Sequence, residues 1–177
     1  MRGLASVAFC LALVACAGDS PEQSDWELAH EAQSWRESRV TLPPYPKSAN
    51  LVEFDVGTDS DFHFLVDTAS LSVGSDGVVR YVLVARSSEG ADNVSFEGLH
   101  CRNGEFKIYA TGREDGTWIG AREPRWRPVE QRAGSWHKAL AHDYLCPNGD
   151  PIRTVGEGVA ALRRGGNPRA RELLQGD

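Results

Sequence analysis

The sequence predicts an α+β fold, a single domain in which a meandering antiparallel β-sheet of about five to six strands is packed by C-terminal helices. Three observations predict it. Between Leu51 and Gly120, short runs rich in Val, Phe, Tyr and Leu alternate with turn signals. After Arg127 the apolar residues recur at three- and four-residue spacings instead. The 177 residues are enough for one ordinary core and too few for two.

The first element is an address. Met1-Arg2 and the apolar run from Leu4 to Ala15 read as a signal peptide over residues 1–15, because a membrane-spanning helix needs about 20 apolar residues. The run is broken by Ala17, Gly18, Asp19, Ser20, Pro21 and Glu22. Leu13-Val14-Ala15-Cys16 resembles the bacterial lipobox, which implies a diacylglycerol on the Cys16 thiol and cleavage before it. Several acyl chains, at about 0.8 kcal/mol per buried methylene, make a durable anchor. Ala17 in place of an aspartate favours, by the same resemblance, the periplasmic side of the outer membrane. Cleavage nearby would give a free periplasmic protein instead. Residues 16–25 then serve as lipidated cysteine and flexible tether.

The globular part is expected over residues 26–165. Trp26, Ala29, Ala32 and Trp35 recur every third residue, predicting a helix from Trp26 to about Arg39 behind a Ser24 or Asp25 cap. Leu42-Pro43-Pro44-Tyr45-Pro46-Lys47 must be extended, since three prolines remove amide donors. Strands are predicted over 51–56, 62–66, 78–87, 94–101, 105–111 and 118–121. The turns between them contain Gly57, Asp76-Gly77, Gly90, Asn103-Gly104 and Asp115-Gly116. Helices follow over 135–145 and 151–164, with Gly165-Gly166-Asn167-Pro168 as a stop and residues 166–177 as a polar tail.

Charge and cysteines narrow the function. The chain carries 19 basic and 25 acidic residues, and the signal takes only Arg2 from that balance, so nucleic acid is excluded as a partner. Cys10 leaves with the signal and Cys16 carries lipid. Cys101 and Cys146 remain in an oxidising compartment and read as one disulfide, with two free thiols or a redox pair as alternatives. Closing a loop of about 46 residues would stabilise the fold by roughly 3 to 4 kcal/mol.

Several short strings fall in one order along the chain. They are Leu42-Pro43-Pro44-Tyr45-Pro46-Lys47, the stretch Leu71 to Tyr81, Asn93-Val94-Ser95-Phe96-Glu97-Gly98 with Cys101, and Tyr109-Ala110. Asp115-Gly116-Thr117-Trp118, Ala121-Arg122, Trp126-Arg127-Pro128 and Tyr144-Leu145-Cys146-Pro147 complete the set. In these, over about residues 26 to 165, the chain resembles the cryptic-neisserial-protein-like family of proteobacterial envelope proteins. The resemblance implies a periplasmic or lipid-anchored protein and carries over no catalytic residue.

Candidate chemistry is sparse. His137 and His142 are five apart, on different faces of a helix, so they do not make a zinc site, and His30, His63 and His100 have no ligand partners in sequence. Asp55, Asp59 and Asp61 crowd a turn without the ligand spacing of a calcium loop. Asp67, Ser70 and Ser72 lie close together and would need a histidine brought in by the fold, with no Gly-x-Ser-x-Gly elbow present. Arg80 is expected to pair across the sheet with a carboxylate such as Glu97. Arg122, Arg125, Trp126 and Arg127 form the candidate ligand patch, three guanidiniums around an indole, suited to a phosphate, glycan or carboxylate. Their competing reading is a core indole with arginines paired to acidic residues. No cofactor or metal is expected.

The function these features favour is a bacterial envelope lipoprotein acting as a non-catalytic binding or assembly module, held by its lipid to a membrane and meeting a periplasmic protein or envelope component. The alternatives are a cell-envelope hydrolase using Asp67, Ser70 and a histidine, and a structural tether working through the basic stretch Arg163 to Arg171.

Overall fold

The longest apolar run, VVRYVLVARS, becomes the central strand, because a strand covered on both faces needs no polar alternation. The computed structural model describes residues 35–57, 60–131 and 136–172, and Arg36–Asp177 is the compact unit described below. Its strands are β1 (Leu51–Phe54), β2 (Phe62–Val73), β3 (Val78–Ser87), β4 (Asp92–His100), β5 (Glu105–Gly112), β6 (Trp118–Gly120) and β7 (Arg127–Pro128). They form one open antiparallel sheet in sequence order from β1 to β6, with β7 also on β5.

Each face of the sheet has its own cover. Val79, Tyr81 and Leu83 of β3 face helical residues Leu140, Tyr144, Leu145 and Leu162, with Phe54, Phe64, Val66 and Leu99 completing that core. Val82 and Val84, one residue out of phase, join Val94, Phe96 and Ala110 on the opposite face. There the cover is the extended strap that the prolines require, through Val40, Tyr45 and, from β6, Trp118. The Trp118 indole donates to the Pro43 carbonyl at 2.9 Å, and the Tyr45 hydroxyl donates to the Arg113 carbonyl at 3.0 Å.

Two irregularities shape the sheet. β2 pairs regularly with β3 up to Asp67↔Val82 and resumes at Ser72↔Arg80, with extra residues bulged out between. The Ser70 hydroxyl fills the gap, donating to the Asp67 carbonyl at 2.7 Å and accepting from the Val82 amide at 2.8 Å. This repair lets β2 continue to Val73, beyond the expected end at Val66. The second bulge puts Phe96 opposite Ala110 but Glu97 opposite Ile108, leaving Tyr109 as the extra residue.

The helical layer begins with α1 (Trp136–Ala139), which widens into a π-helical segment, Leu140–Leu145, where the Cys146 amide donates to the Ala141 carbonyl at 2.7 Å. The disulfide Cys101–Cys146 staples its end to the sheet. α2 (Val155–Arg164) is capped by Thr154, whose hydroxyl accepts from the Glu157 amide at 3.1 Å, and ends at Gly165 in the left-handed region. Gly158 seats α2 on the core: a Cβ there would collide with Ile152 and Leu71.

Several expectations are corrected. The helix expected to reach Arg39 lies outside the described residues over 26–34, and residues 35–39 are not helical. Here the chain is drawn out instead by polar anchors: the Ser38 amide donates to Asp76 at 2.8 Å, and Glu37 pairs with Lys107 at 2.7 Å. Arg80 does not meet Glu97. Its Cα partner is Gly98, so Glu97 points to the other face, and Arg80 makes a two-pronged pair with Asp76 at 2.6 and 3.1 Å. Burial pushes the Asp76 carboxyl up, but the bonds from Arg80, Ser38 and Val78 outweigh it and hold the carboxyl well below the usual range. The stop at Gly165 is followed by α3 (Pro168–Glu172), and Asn167 is buried, its side chain donating to the Tyr144 carbonyl and Glu157. Ordered packing thus extends past residue 165.

The disulfide gives a direct test of how the two layers are joined. Replacing Cys101 and Cys146 together by Ser is expected to lower the stability by about 4 kcal/mol through loop-closure entropy. Denaturant unfolding of the oxidised chain and the double variant measures it.

Candidate functional site

β4 alternates strictly, so Ser95, Glu97 and Leu99 lie on the helix-covered face while Val94 and Phe96 lie on the other. That places a carboxylate inside an apolar core, and Glu97 is 1% exposed. A buried charge survives only with donors around it. Glu97 has three. Oε2 accepts from the Tyr81 hydroxyl at 3.1 Å and meets His137 Nε2 at 2.9 Å, and Oε1 accepts from the Ser95 hydroxyl at 2.6 Å. Tyr81 and Ser95 come from the sheet and His137 from α1, so the carboxylate joins the two layers. The imidazole is fixed by Phe106, stacked on it at 3.6 Å between ring centres.

Electrostatics follow from this wiring. Burial pushes Glu97 up, but the charge and hydrogen bond of His137, with the bonds from Ser95 and Tyr81, outweigh it and hold the carboxyl below its ordinary 4.5. The Tyr81 hydroxyl is pushed well above 10 by burial and then by the neighbouring Glu97.

Above this network lies a cavity of about 380 Å³, within the range of small-molecule sites. Phe62, Phe64, Leu83, Ile108 and Trp136 make its apolar walls, with Phe64 and Trp136 stacked at 5.0 Å. Ser95 and Glu97 are the polar part of its floor, and Asp92, Asn93 and Thr111 stand along the sheet's end. A second, larger hollow of about 940 Å³ lies beside the strap, lined by Tyr45, Arg86 and the turn Arg113 to Asp115.

Serine, carboxylate and histidine therefore do meet in this fold, but in the wrong order for nucleophilic catalysis. A hydrolytic triad puts the imidazole between hydroxyl and carboxylate, so that it can take the hydroxyl proton. Here the carboxylate sits in the middle, and an acid weaker in basicity than usual is a poor proton acceptor. The arrangement fixes a charge and orients a hydroxyl. It suits binding.

The residues singled out in sequence fall elsewhere. Asp67 is buried at the first bulge and Ser70 is committed to backbone groups there, so these two do not form a site with any of the described histidines. His63 pairs with Glu53 and His142 with Glu130, both at the surface, and His100 packs near Trp126. Asp55 receives the Gly57 amide, while Asp59, His30 and Cys16 lie outside the described residues. Among the described residues no three His, Cys, Asp or Glu side chains gather as for a metal.

In the Arg patch, Arg122 and Arg125 are exposed, and Arg125 faces Glu123 at 3.7 Å. Trp126 lies against Tyr109 and the Lys107 ammonium, and the Arg127 guanidinium lies over Phe106. Arg122 and Arg125 are thus exposed, and Trp126 and Arg127 half-buried. In the basic C-terminal stretch, Arg169 pairs with Glu157 at 3.0 Å. Sequence reasoning missed Glu97 and His137 as a pair. The available signal was that His137 shares the helical spacing of the buried residues Leu140, Ala141 and Tyr144.

Removing one partner of the pair should be costly. His137→Leu leaves the carboxylate short of a donor and is expected to cost about 3 to 5 kcal/mol, while the double change Glu97→Leu with His137→Leu costs less than the sum. Denaturant unfolding of the three variants decides it. Because the folded-state value of Glu97 is depressed, its contribution is present above its unfolded value and is lost as pH falls through the folded one. Stability measured from pH 7 downward should therefore fall below about pH 4.5, and Glu97→Gln should flatten that fall.

Comparison with known proteins gives one clear relationship. Residues 30–163 match the CNP1-like family. Cryptic neisserial protein 1 of Neisseria gonorrhoeae is 28% identical over 142 residues, covering 71% of this chain and 70% of that protein. No solved structure matches.

Proposed function

The chain belongs to the CNP1-like family, and we propose that it is an exported bacterial envelope lipoprotein whose domain works as a non-catalytic binding module for a small, largely apolar ligand. Its anchor is the lipid on Cys16, and its place is the periplasmic side of the outer membrane. The observation that carries the binding role is the cavity over Ser95 and Glu97, walled by Phe62, Phe64, Leu83, Ile108 and Trp136. A pocket with apolar walls and a few fixed polar groups is the usual form of a small-molecule site. The order hydroxyl, carboxylate, imidazole supports binding over proton transfer. What supports the address is the run from Leu4 to Ala15 ending on Cys16 and the disulfide Cys101–Cys146, a bond typical of oxidising compartments.

Two measurements test this. The neutral fluorophore 1-N-phenylnaphthylamine is expected to bind one per chain and to lose about tenfold or more in affinity when Ala85→Trp or Thr111→Trp fills the cavity, with thermal unfolding recorded to show that each variant is folded. Unchanged binding in both folded variants would remove the pocket from the account. Intact mass of the protein taken from its own membranes should show a chain beginning at Cys16, heavier by its acyl groups. A mass without lipid would make it a free periplasmic protein.

A further inference from the structure

We propose that the cavity over Glu97 is selective for a cationic ligand, an apolar amine whose ammonium sits on Ser95 and whose hydrocarbon body lies against Leu83, Ile108 and Trp136. This rests on the pocket being the binding site. The argument begins with one hydrogen. Ser95 has a single hydroxyl proton and gives it to Glu97 Oε1 at 2.6 Å, so toward the cavity this hydroxyl can only accept. A ligand group meeting it must therefore donate, which a carboxylate, sulfonate or phosphodiester cannot do.

Charge adds a second condition. Behind the hydroxyl stands Glu97, 1% exposed, its carboxyl held below the ordinary range by His137, Ser95 and Tyr81, in surroundings where charges interact far more strongly than in water. Tyr81 and His137 both bind Oε2, and among the described residues the hydrogen bond to Oε1 comes from Ser95. At the end of the sheet stands Asp92, paired through both its oxygens with Arg86 at 2.7 and 2.9 Å. Among the described residues no Lys or Arg lines the cavity. Among the described residues the charged side chains lining it are acidic, so an anionic amphiphile would find no cationic side chain on the described cavity wall.

Size sets the third condition. A cavity of about 380 Å³ is near the small end of ligand sites, which suits an amine with one short chain or one ring system.

The test uses three ligands of equal length on the full chain. Calorimetry with octylammonium, 1-octanol and octanoate at pH 7 is expected to rank them in that order, with octylammonium ahead of octanoate by about a hundredfold. Glu97→Gln should remove most of the ammonium's advantage over octanol, and Ser95→Ala should weaken the ammonium similarly if Glu97→Gln does not fold. Octanoate binding as well as octylammonium overturns the proposal and leaves the pocket in place. Binding of phenylnaphthylamine with none of the three octyl compounds also overturns it. Failure of phenylnaphthylamine and the octyl compounds alike would defeat the pocket itself, and this proposal with it.

Discussion

A carboxylate buried in an apolar core is the constraint around which this fold is arranged. Glu97 cannot be left without donors, because the cost of an isolated buried charge exceeds the stability of a domain of this size. Its donors come from three places that the chain must bring together: Tyr81 on the neighbouring strand, Ser95 two residues back, and His137 on the helix that covers the sheet. Non-directional packing would let α1 slide or turn over the sheet. The bond from His137, with Phe106 stacked on the ring, fixes where the helix lies.

The opposite face solves the same problem differently. Arg80, one residue out of phase with Tyr81, is surrounded by Asp76 and Glu37, and Lys107 closes the set while lying over Tyr109 and Trp126. Here the polar cluster holds the extended strap instead of a helix, and the close approach at Gly74, where a Cβ would strike Asp76 and Arg80, shows how tightly the β2–β3 turn is drawn in. One polar cluster on each face, each tied to a different covering element, accounts for a sheet covered on both sides by segments distant in sequence. The disulfide adds a covalent tie at the end of the helical layer.

The sheet was legible in the sequence because alternation and glycine turns are local signals: β3 begins and ends where its apolar run does, and the turns at Asp76-Gly77 and Asn103-Gly104 fall where expected. The pairing of Cys101 with Cys146 was legible too, as the two cysteines of the expected globular part. What was not legible depended on which face a residue takes. Arg80 and Glu97 appeared as natural partners until the register placed Gly98, not Glu97, opposite Arg80. A one-residue difference reverses the face of every side chain on a strand. The extension of β2 to Val73 depends on the Ser70 hydroxyl repairing a bulge, which no periodicity reveals. Ser70 looked like chemistry and serves structure, while Ser95 and Glu97 looked like ordinary strand residues and form the floor of the pocket.

The account stands on Glu97 being ionised inside the core. Carbon-13 NMR of the Glu97 side-chain carboxyl, followed as pH is lowered on glutamate-labelled protein, observes that charge directly. The expected result is a carboxylate signal that persists below the ordinary glutamate value of 4.5 and loses that persistence in His137→Leu. A carboxyl that takes up its proton well above 4.5 would mean that the core holds a neutral acid, and both the anchoring of α1 and the acidic floor of the pocket would have to be abandoned.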